Sequence, residues 1–261
     1  NEKTQSNIAA LRETGCFIID PETGELASGL SGPGRLPEID KLVAFVESIF
    51  DKTYQDLKGK RVLVTAGPTQ EPIDPVRYIG NRSSGKMGFA VAIAASLRGA
   101  EVTLISGPVA LKTPRNVRRI DVQTAYEMQE AVHKEFTLAD IVIMAAAVAD
   151  YAPSQPAEEK LKREAQPSDT YTLSLKKNPD ILKSLGEQKT LQVLVGFALE
   201  TSNGVENARK KLVSKNLDAI VLNNANEEGA GFEIDTNIVT VITADGRIEQ
   251  LPKLPKFDVA N

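Results

Sequence analysis

The chain has 261 residues, 41% of them hydrophobic, and a formal net charge of −4. That length suits one large domain or a domain with an appendage, and the acidic balance argues against nucleic acid as a partner. Cys16 is the sole cysteine and His133 the sole histidine, which excludes an internal disulfide and argues against a Cys/His zinc centre or a Ser-His-Asp triad.

No apolar run reaches membrane-spanning length and nothing at the start reads as a signal peptide, so a cytoplasmic protein with no membrane partner is expected. Residues 1–50 read as an appendage. Residues 7–14 fit a short helix and Phe17-Ile18-Ile19 a short strand. Residues 24–37 are rich in Gly and Pro, and 38–50 are helical again. One short strand and two helices cannot bury a sheet face. Residues 51–60 are polar and read as a linker.

The main domain is expected over residues 61–261. R-V-L-V-T-A-G at 61–67 is a short apolar run ending in glycine, the pattern of a buried parallel strand. Residues 68–82 form a long loop carrying Pro68, Pro72 and Pro75. A helix follows, with Phe89, Ile93 and Leu97 on one face and Gly99 as its stop. Strands are expected at 102–106 and 117–122. Thr124 and Glu127 have capping-box spacing for the next helix, and 140–147 is a fourth, almost wholly apolar strand.

The pattern then breaks. Residues 150–167 hold three prolines and the basic run K-L-K-R at 160–163, and read as a long mobile loop. Residues 170–175 alternate like a strand. Asn178-Pro179 reads as a helix start, with Asn178 as cap. Strands at 193–198 and 218–223 flank a basic helix at 206–214. Residues 238–243 and 247–251 surround A-D-G, a hairpin signal. The fold class is therefore α/β: a Rossmann-like three-layer parallel sheet with an additional strand and hairpin region.

N-R-S-S-G-K-M-G at 81–88 falls at the start of a helix, where unpaired N–H groups and the positive end of the dipole favour an anion. Ser83 and Ser84 are cap candidates, and Gly85 and Gly88 allow close backbone approach. A dinucleotide fingerprint would follow the first strand directly, but fifteen residues separate Gly67 from Ser83. The second strand ends in S-G-P rather than in an acidic ribose ligand, so a nicotinamide cofactor is disfavoured. Residues 80–86 match G-x-x-x-x-G-K, but Met87 replaces the hydroxyl that a P-loop offers to magnesium. Asp150 ends the fourth strand. With Lys160, Lys211, Lys215 and a second helix start at 178–181, the supply suits a triphosphate.

These residues also carry a family resemblance. A-G-P-T-Q-E-P-I-D-P-V-R-Y at 66–78, followed by N-R-S-S-G-K-M-G-F at 81–89, resembles phosphopantothenoylcysteine synthetase. A-A-A-V-A-D-Y at 145–151, K-L-K at 160–162, K-N-P-D-I at 177–181, V-G-F at 195–197, Lys211 and K-N-L-D at 215–218 match further family blocks in order. The resemblance implies the C-terminal half of a bifunctional coenzyme A biosynthesis protein. Such a ligase joins 4′-phosphopantothenate and L-cysteine through an acyl-cytidylate, using CTP with Mg2+ and releasing pyrophosphate and CMP. It implies Asn81 and Lys160 as catalytic residues, with Arg77 and Asn81 binding substrate across a homodimer. Gly67, Ser83, Ser84, Gly85, Ala146, Ala147, Asp150, Pro179, Asp180, Ile181, Leu182, Phe197, Lys211 and Lys215 would bind the nucleotide beside Lys160.

Residues 26–36, L-A-S-G-L-S-G-P-G-R-L, resemble the tail of the flavin-dependent decarboxylase domain that accompanies this ligase. Ser28 stands where that family has its catalytic cysteine. No flavin and no decarboxylation are therefore expected from this chain. An NAD(P)-dependent reductase and a non-catalytic nucleotide-sensing module remain alternatives.

Overall fold

The computed structural model describes residues 2–14, 16–25, 31–39, 41–43, 45–46, 55–162, 170–200, 203–224 and 234–261. The chain divides into two compact units, residues 1–54 and 55–261. The first holds helix α1 (Glu2–Glu13) and an antiparallel hairpin of β1 (Glu22–Glu25) and β2 (Ser31–Arg35). Phe17-Ile18-Ile19, expected as a strand, is irregular, and Phe17 is exposed. Pairing uses the Gly/Pro-rich stretch instead, where Gly24 stands opposite Gly32. Ser28 lies outside the described residues.

Short continuous apolar runs, buried on both faces, set the architecture of the second unit. Its central sheet takes β3 (Arg61–Ala66), β6 (Glu101–Ser106), β7 (Val117–Asp121), β8 (Ile141–Met144), β11 (Val193–Glu200) and β12 (Ala219–Asn224) as parallel strands. The order is β7-β6-β3-β8-β11-β12, so the chain starts in the middle, builds one half outward and returns to build the other. The expected hairpin, β14 (Val239–Thr243) and β15 (Ile248–Gln250), extends this sheet antiparallel beyond β12. Gly246 takes a positive φ at its turn.

Helices cover both faces, which gives the three layers expected. On one face α2 (Lys86–Leu97) packs Phe89, Val91, Ala92 and Ala95 on Val62, Val64, Val102 and Leu104. On the other, α3 (Ala125–Phe136), α4 (Ile181–Gln188) and α5 (Gly204–Ser214) bury Met128, Phe136, Leu185 and Leu212 against Leu63, Val142, Leu194 and Ile220. The strand starts are tied by carboxylates. Asp140 accepts from Arg61 N at 2.8 Å, and Asp218 from Leu194 N at 2.7 Å. Strands β13 (Thr236–Asn237) and β16 (Leu254–Pro255) pair antiparallel, and the short helix α6 (Lys256–Ala260) that follows lies beside α2. Residues 55–60 belong to this unit: Leu57 N donates to Arg98 O at 3.1 Å, and Asp56 pairs with Arg98.

Residues 68–85 do not run as an open loop. They form an arm whose strands β4 (Gln70–Pro72) and β5 (Tyr78–Gly80) pair antiparallel. Beside it lies a second ribbon, β9 (Tyr151–Pro153) with β10 (Leu175–Lys177). Two sequence expectations change here. The strand expected at 170–175 lies at 175–177, and the stretch after Asp150 begins as a paired strand rather than a loop.

Gly88 fixes how closely α2 approaches the sheet. A Cβ there would meet Ala66 Cβ at 2.6 Å and Thr65 O at 2.8 Å. Alanine raises helix propensity by about 1 kcal/mol, but β3 is a central strand and cannot give way. Overpacking of about 1–3 kcal/mol should therefore outweigh it, with the upper end set by the unyielding backbone, and Gly88→Ala is expected to lose up to about 2 kcal/mol net in urea unfolding. An unchanged or raised midpoint would show that α2 can slide.

Candidate functional site

The sheet reverses its strand order between β3 and β8, the place where open α/β sheets take ligands. Two segments leave these strands side by side. Ala147 N donates to Gly67 O at 2.8 Å, Thr69 N to Ala147 O at 3.3 Å, and Pro68 bridges Ala147. Two buried hydroxyls reinforce this: Thr65 Oγ1 accepts from Ala146 N at 3.2 Å and Thr69 Oγ1 from Ala149 N at 3.0 Å. Two threonines four positions apart thus carry the parallel register of β3 and β8 past the end of regular strand.

The arm leaves this crevice and returns to it. Gly67 and Gly85 both have φ +75, and a Cβ on Gly85 would lie 3.4 Å from Gly67 N. The helix start therefore sits beside the strand end, despite the intervening arm. Gly85, not Ser83 or Ser84, is the N-cap of α2, and Ser83 Oγ instead accepts from Gly85 N at 3.3 Å. The cap residue has no side chain to place over the helix end.

The starts of α3 and α4 differ. Glu71, buried on β4, accepts from Ala125 N at 2.9 Å at the first turn of α3. Thr124 caps the same helix through Glu127 N at 3.2 Å, and Glu127 reaches back to Gln123 N at 2.7 Å. At α4 the cap is Asp180, which accepts from Lys183 N at 3.0 Å. Asn178, expected as that cap, instead donates its Nδ2 to Ala149 O at 2.8 Å and its backbone N to Asp150 O at 2.9 Å. Carboxylates thus stand at the starts of α3 and α4, and glycine at the start of α2. An anion is favoured at α2.

Asn81 reaches into the crevice, with its Nδ2 2.9 Å from Val148 O. Ala146 and Ala147 line it through backbone, and Asp150 is exposed at its mouth. Phe197 lies on β11 one residue past Gly196, which stands opposite Met144. Phe197 is therefore level with the 145–150 segment. Pro179, Ile181 and Leu182 flank the start of α4. Lys215 pairs with Asp180 at 2.9 Å, and Lys211 with Glu200 at 2.7 Å. Both lysines thus already have carboxylate partners, and Asp180 is itself an anion where a phosphate was expected.

Lys160 and Lys162 are exposed on either side of Leu161. Arg77 turns back on its own chain, with Nη2 2.5 Å from Asp74 Oδ2 and 2.9 Å from Leu161 O. Its hydrogen bond holds the Asp74 carboxyl far below the ordinary range. Burial opposes this shift, and the N–H groups of Val76, Arg77 and Leu161 support it. Arg163 and the remainder of the basic loop lie outside the described residues.

The structure also counts against two sequence motifs. The G-x-x-x-x-G-K match begins on β5 of the arm rather than on a sheet strand, so it is not a P-loop. A Cβ at Gly107, after β6, would lie 1.7 Å from Pro68 O. The arm's first residues thus occupy the space beside the strand-two end. Asp74, Thr65 and Thr69 escaped the sequence reading. The D-P-V-R turn signal at 74–77 could have flagged Asp74.

A doubly wound α/β protein with a polar crevice at its switch point is what these features define. The chain belongs to the family described as DNA/pantothenate metabolism flavoprotein C-terminal domain, whose model matches residues 57–261. Bacillus subtilis (strain 168) has a relative named coenzyme A biosynthesis bifunctional protein CoaBC. It is 48% identical over 256 residues, which cover 97% of this chain and 62% of that protein. A relative from an unknown prokaryotic organism, named cysteine/cysteine sulfinic acid decarboxylase, is 47% identical over 98% of this chain and 72% of its own length. The crystal structure of the C-terminal domain of a CoaBC protein matches with a TM-score of 0.67 and 45% identity, over 79% of this chain and 92% of that one. The chain thus spans about three fifths of the Bacillus protein's length.

Lys211 first, then Asn207, pulls the Glu200 carboxyl below its ordinary range against the effect of burial. Such a group adds stability above its unfolded pKa, about 4.3 for glutamate, and loses it as pH falls from there toward the folded value. Glu200→Gln should therefore unfold earlier in urea than the parent at pH 7, with the gap closing below about pH 4. A gap that does not vary with pH would show that the charge is not the stabilising feature.

Proposed function

We propose that this chain is a CTP-dependent phosphopantothenate–cysteine ligase of coenzyme A biosynthesis. The observation that carries the reading is Asn81, held by Val148 O in the switch-point crevice beside the glycine cap of α2. Family membership, the name of the Bacillus relative and the likeness to a CoaBC C-terminal domain support it.

In this reading the nucleotide base lies between Phe197 and the backbone of Ala146 and Ala147, with Asp150 at the ribose. The triphosphate meets Gly67, Ser83, Ser84 and Gly85, with Lys160 brought from the 157–162 segment. A carboxylate oxygen of 4′-phosphopantothenate attacks the α-phosphorus of CTP, and the bond to pyrophosphate breaks. The cysteine amine then attacks the acyl carbon, the acyl–oxygen bond to CMP breaks, and the amine proton is lost. Asn81 suits this sequence because its amide can donate to an anionic acyl phosphate without adding negative charge. Lys160 offsets the charge that builds on the departing pyrophosphate.

For Lys211 and Lys215 to reach phosphates, each must leave Glu200 or Asp180. We therefore assign them, with the Pro179–Leu182 turn, to the outer triphosphate. The described residues bring no group of three His, Cys, Asp or Glu together. Mg2+ would therefore be held chiefly by phosphate oxygens and water, as is common for this ion. Among the described residues no helix is long and apolar enough to cross a membrane. Val76 and Tyr78 stand 61% and 54% exposed on the arm, an apolar surface suited to a homodimer. The first unit is assigned as the tail of a decarboxylase domain.

Pyrophosphate release from CTP in the presence of 4′-phosphopantothenate tests the reaction and separates it from nucleotide sensing. Asn81→Asp should retain nucleotide binding while coupled product falls about a hundredfold or more, the usual cost of a lost oxyanion donor. Product at the parent rate would remove Asn81 from the mechanism.

A further inference from the structure

We propose that Asp74 is the positioning residue for Lys160, setting where that lysine stands by gripping the peptide beside it; this rests on the ligase reading. The Asp74 side chain is fully buried although the turn around it is exposed. Its Oδ1 accepts from Val76 N at 2.9 Å and Arg77 N at 2.8 Å, which closes the turn. Its Oδ2 accepts from Arg77 Nε at 3.0 Å and from Leu161 N at 3.2 Å. Arg77 Nη2 then donates to Leu161 O at 2.9 Å. Both backbone groups of Leu161 are thus held by a buried carboxylate and a half-exposed guanidinium from a segment more than eighty residues earlier. Ala157 N adds a second tie, to Ile73 O at 2.9 Å.

A carboxylate acting on its turn alone would need only Oδ1. The second oxygen takes Leu161 N as well as the Arg77 guanidinium, and that guanidinium passes on to Leu161 O, between Lys160 and Lys162 in the chain. These two like charges repel, and neither has a carboxylate partner among the described ion pairs. Without the grip the segment would be free to relax so as to separate them. A side chain that must meet a ligand in one geometry requires such support behind it.

The test uses the full chain and three variants: Asp74→Asn, Lys160→Gln and the double change. Asparagine keeps one acceptor for the turn but presents N–H to the donors of Arg77 and Leu161. Asp74→Ser, which can still accept from Val76 N, serves if the first variant does not fold. Amide exchange at Leu161 should accelerate about tenfold or more, with core strands unchanged. The KM for CTP should rise, and Lys160→Gln should cost much less in the Asp74→Asn background than in the parent. Parent-like exchange at Leu161, or equal costs of Lys160→Gln in both backgrounds, would overturn the proposal. Should the parent release no pyrophosphate, the ligase reading falls, and exchange at Leu161 still decides whether Asp74 holds the segment.

Discussion

Everything at the crevice depends on how closely other backbone can approach the end of β3. Gly88 lets α2 lie against Ala66 and Thr65, Gly85 returns the arm to Gly67, and Gly107 lets the chain after β6 pass Pro68. A methyl group at any of these points would overlap or crowd main-chain or packed side-chain atoms. The arrangement is therefore steric before it is electrostatic. The helix start, strand end and crossing loop are brought to one point because side chains are missing there. Only then does the polarity of α2 count, since its field falls off within the first turn.

The parallel strands and their helices were legible because burial on both faces leaves a strong apolar signal. The runs expected as strands at 61–67 and 140–147 became central strands over 61–66 and 141–144. The β14–β15 hairpin was equally readable from A-D-G and its flanking alternation. The arm was not. Its strands are three residues each, too short for periodicity, and its prolines suggest an open loop. Caps were partly misread for a related reason. Serine, asparagine and aspartate all suit a helix start, and tertiary bonds decide which one serves: Asn178 is drawn to Ala149 O, so Asp180 takes the cap.

Candidate residue types for the site could be named from sequence, but their partnerships could not. Lys211 and Lys215 looked like two cations awaiting phosphates. The folded chain gives each a carboxylate, so an incoming anion must compete with Glu200 and Asp180. Arg77 is likewise committed to Asp74 within one chain. Such pairings join residues as close as three and as distant as thirty-five positions, and no local pattern encodes the longer ones.

The bond between Asp74 and Leu161 also bears on the order of folding. It spans 87 positions, little more than the 79 that separate paired residues of β3 and β8. Once β8 docks beside β3, most of the loop between Asp74 and Leu161 is already closed, and the further cost in chain entropy is small. Residues 193–243, which supply β11, β12 and β14, all follow Leu161 in the chain. In a chain emerging from synthesis N-terminus first, the arm and the 157–162 segment can therefore meet before the second half of the sheet exists.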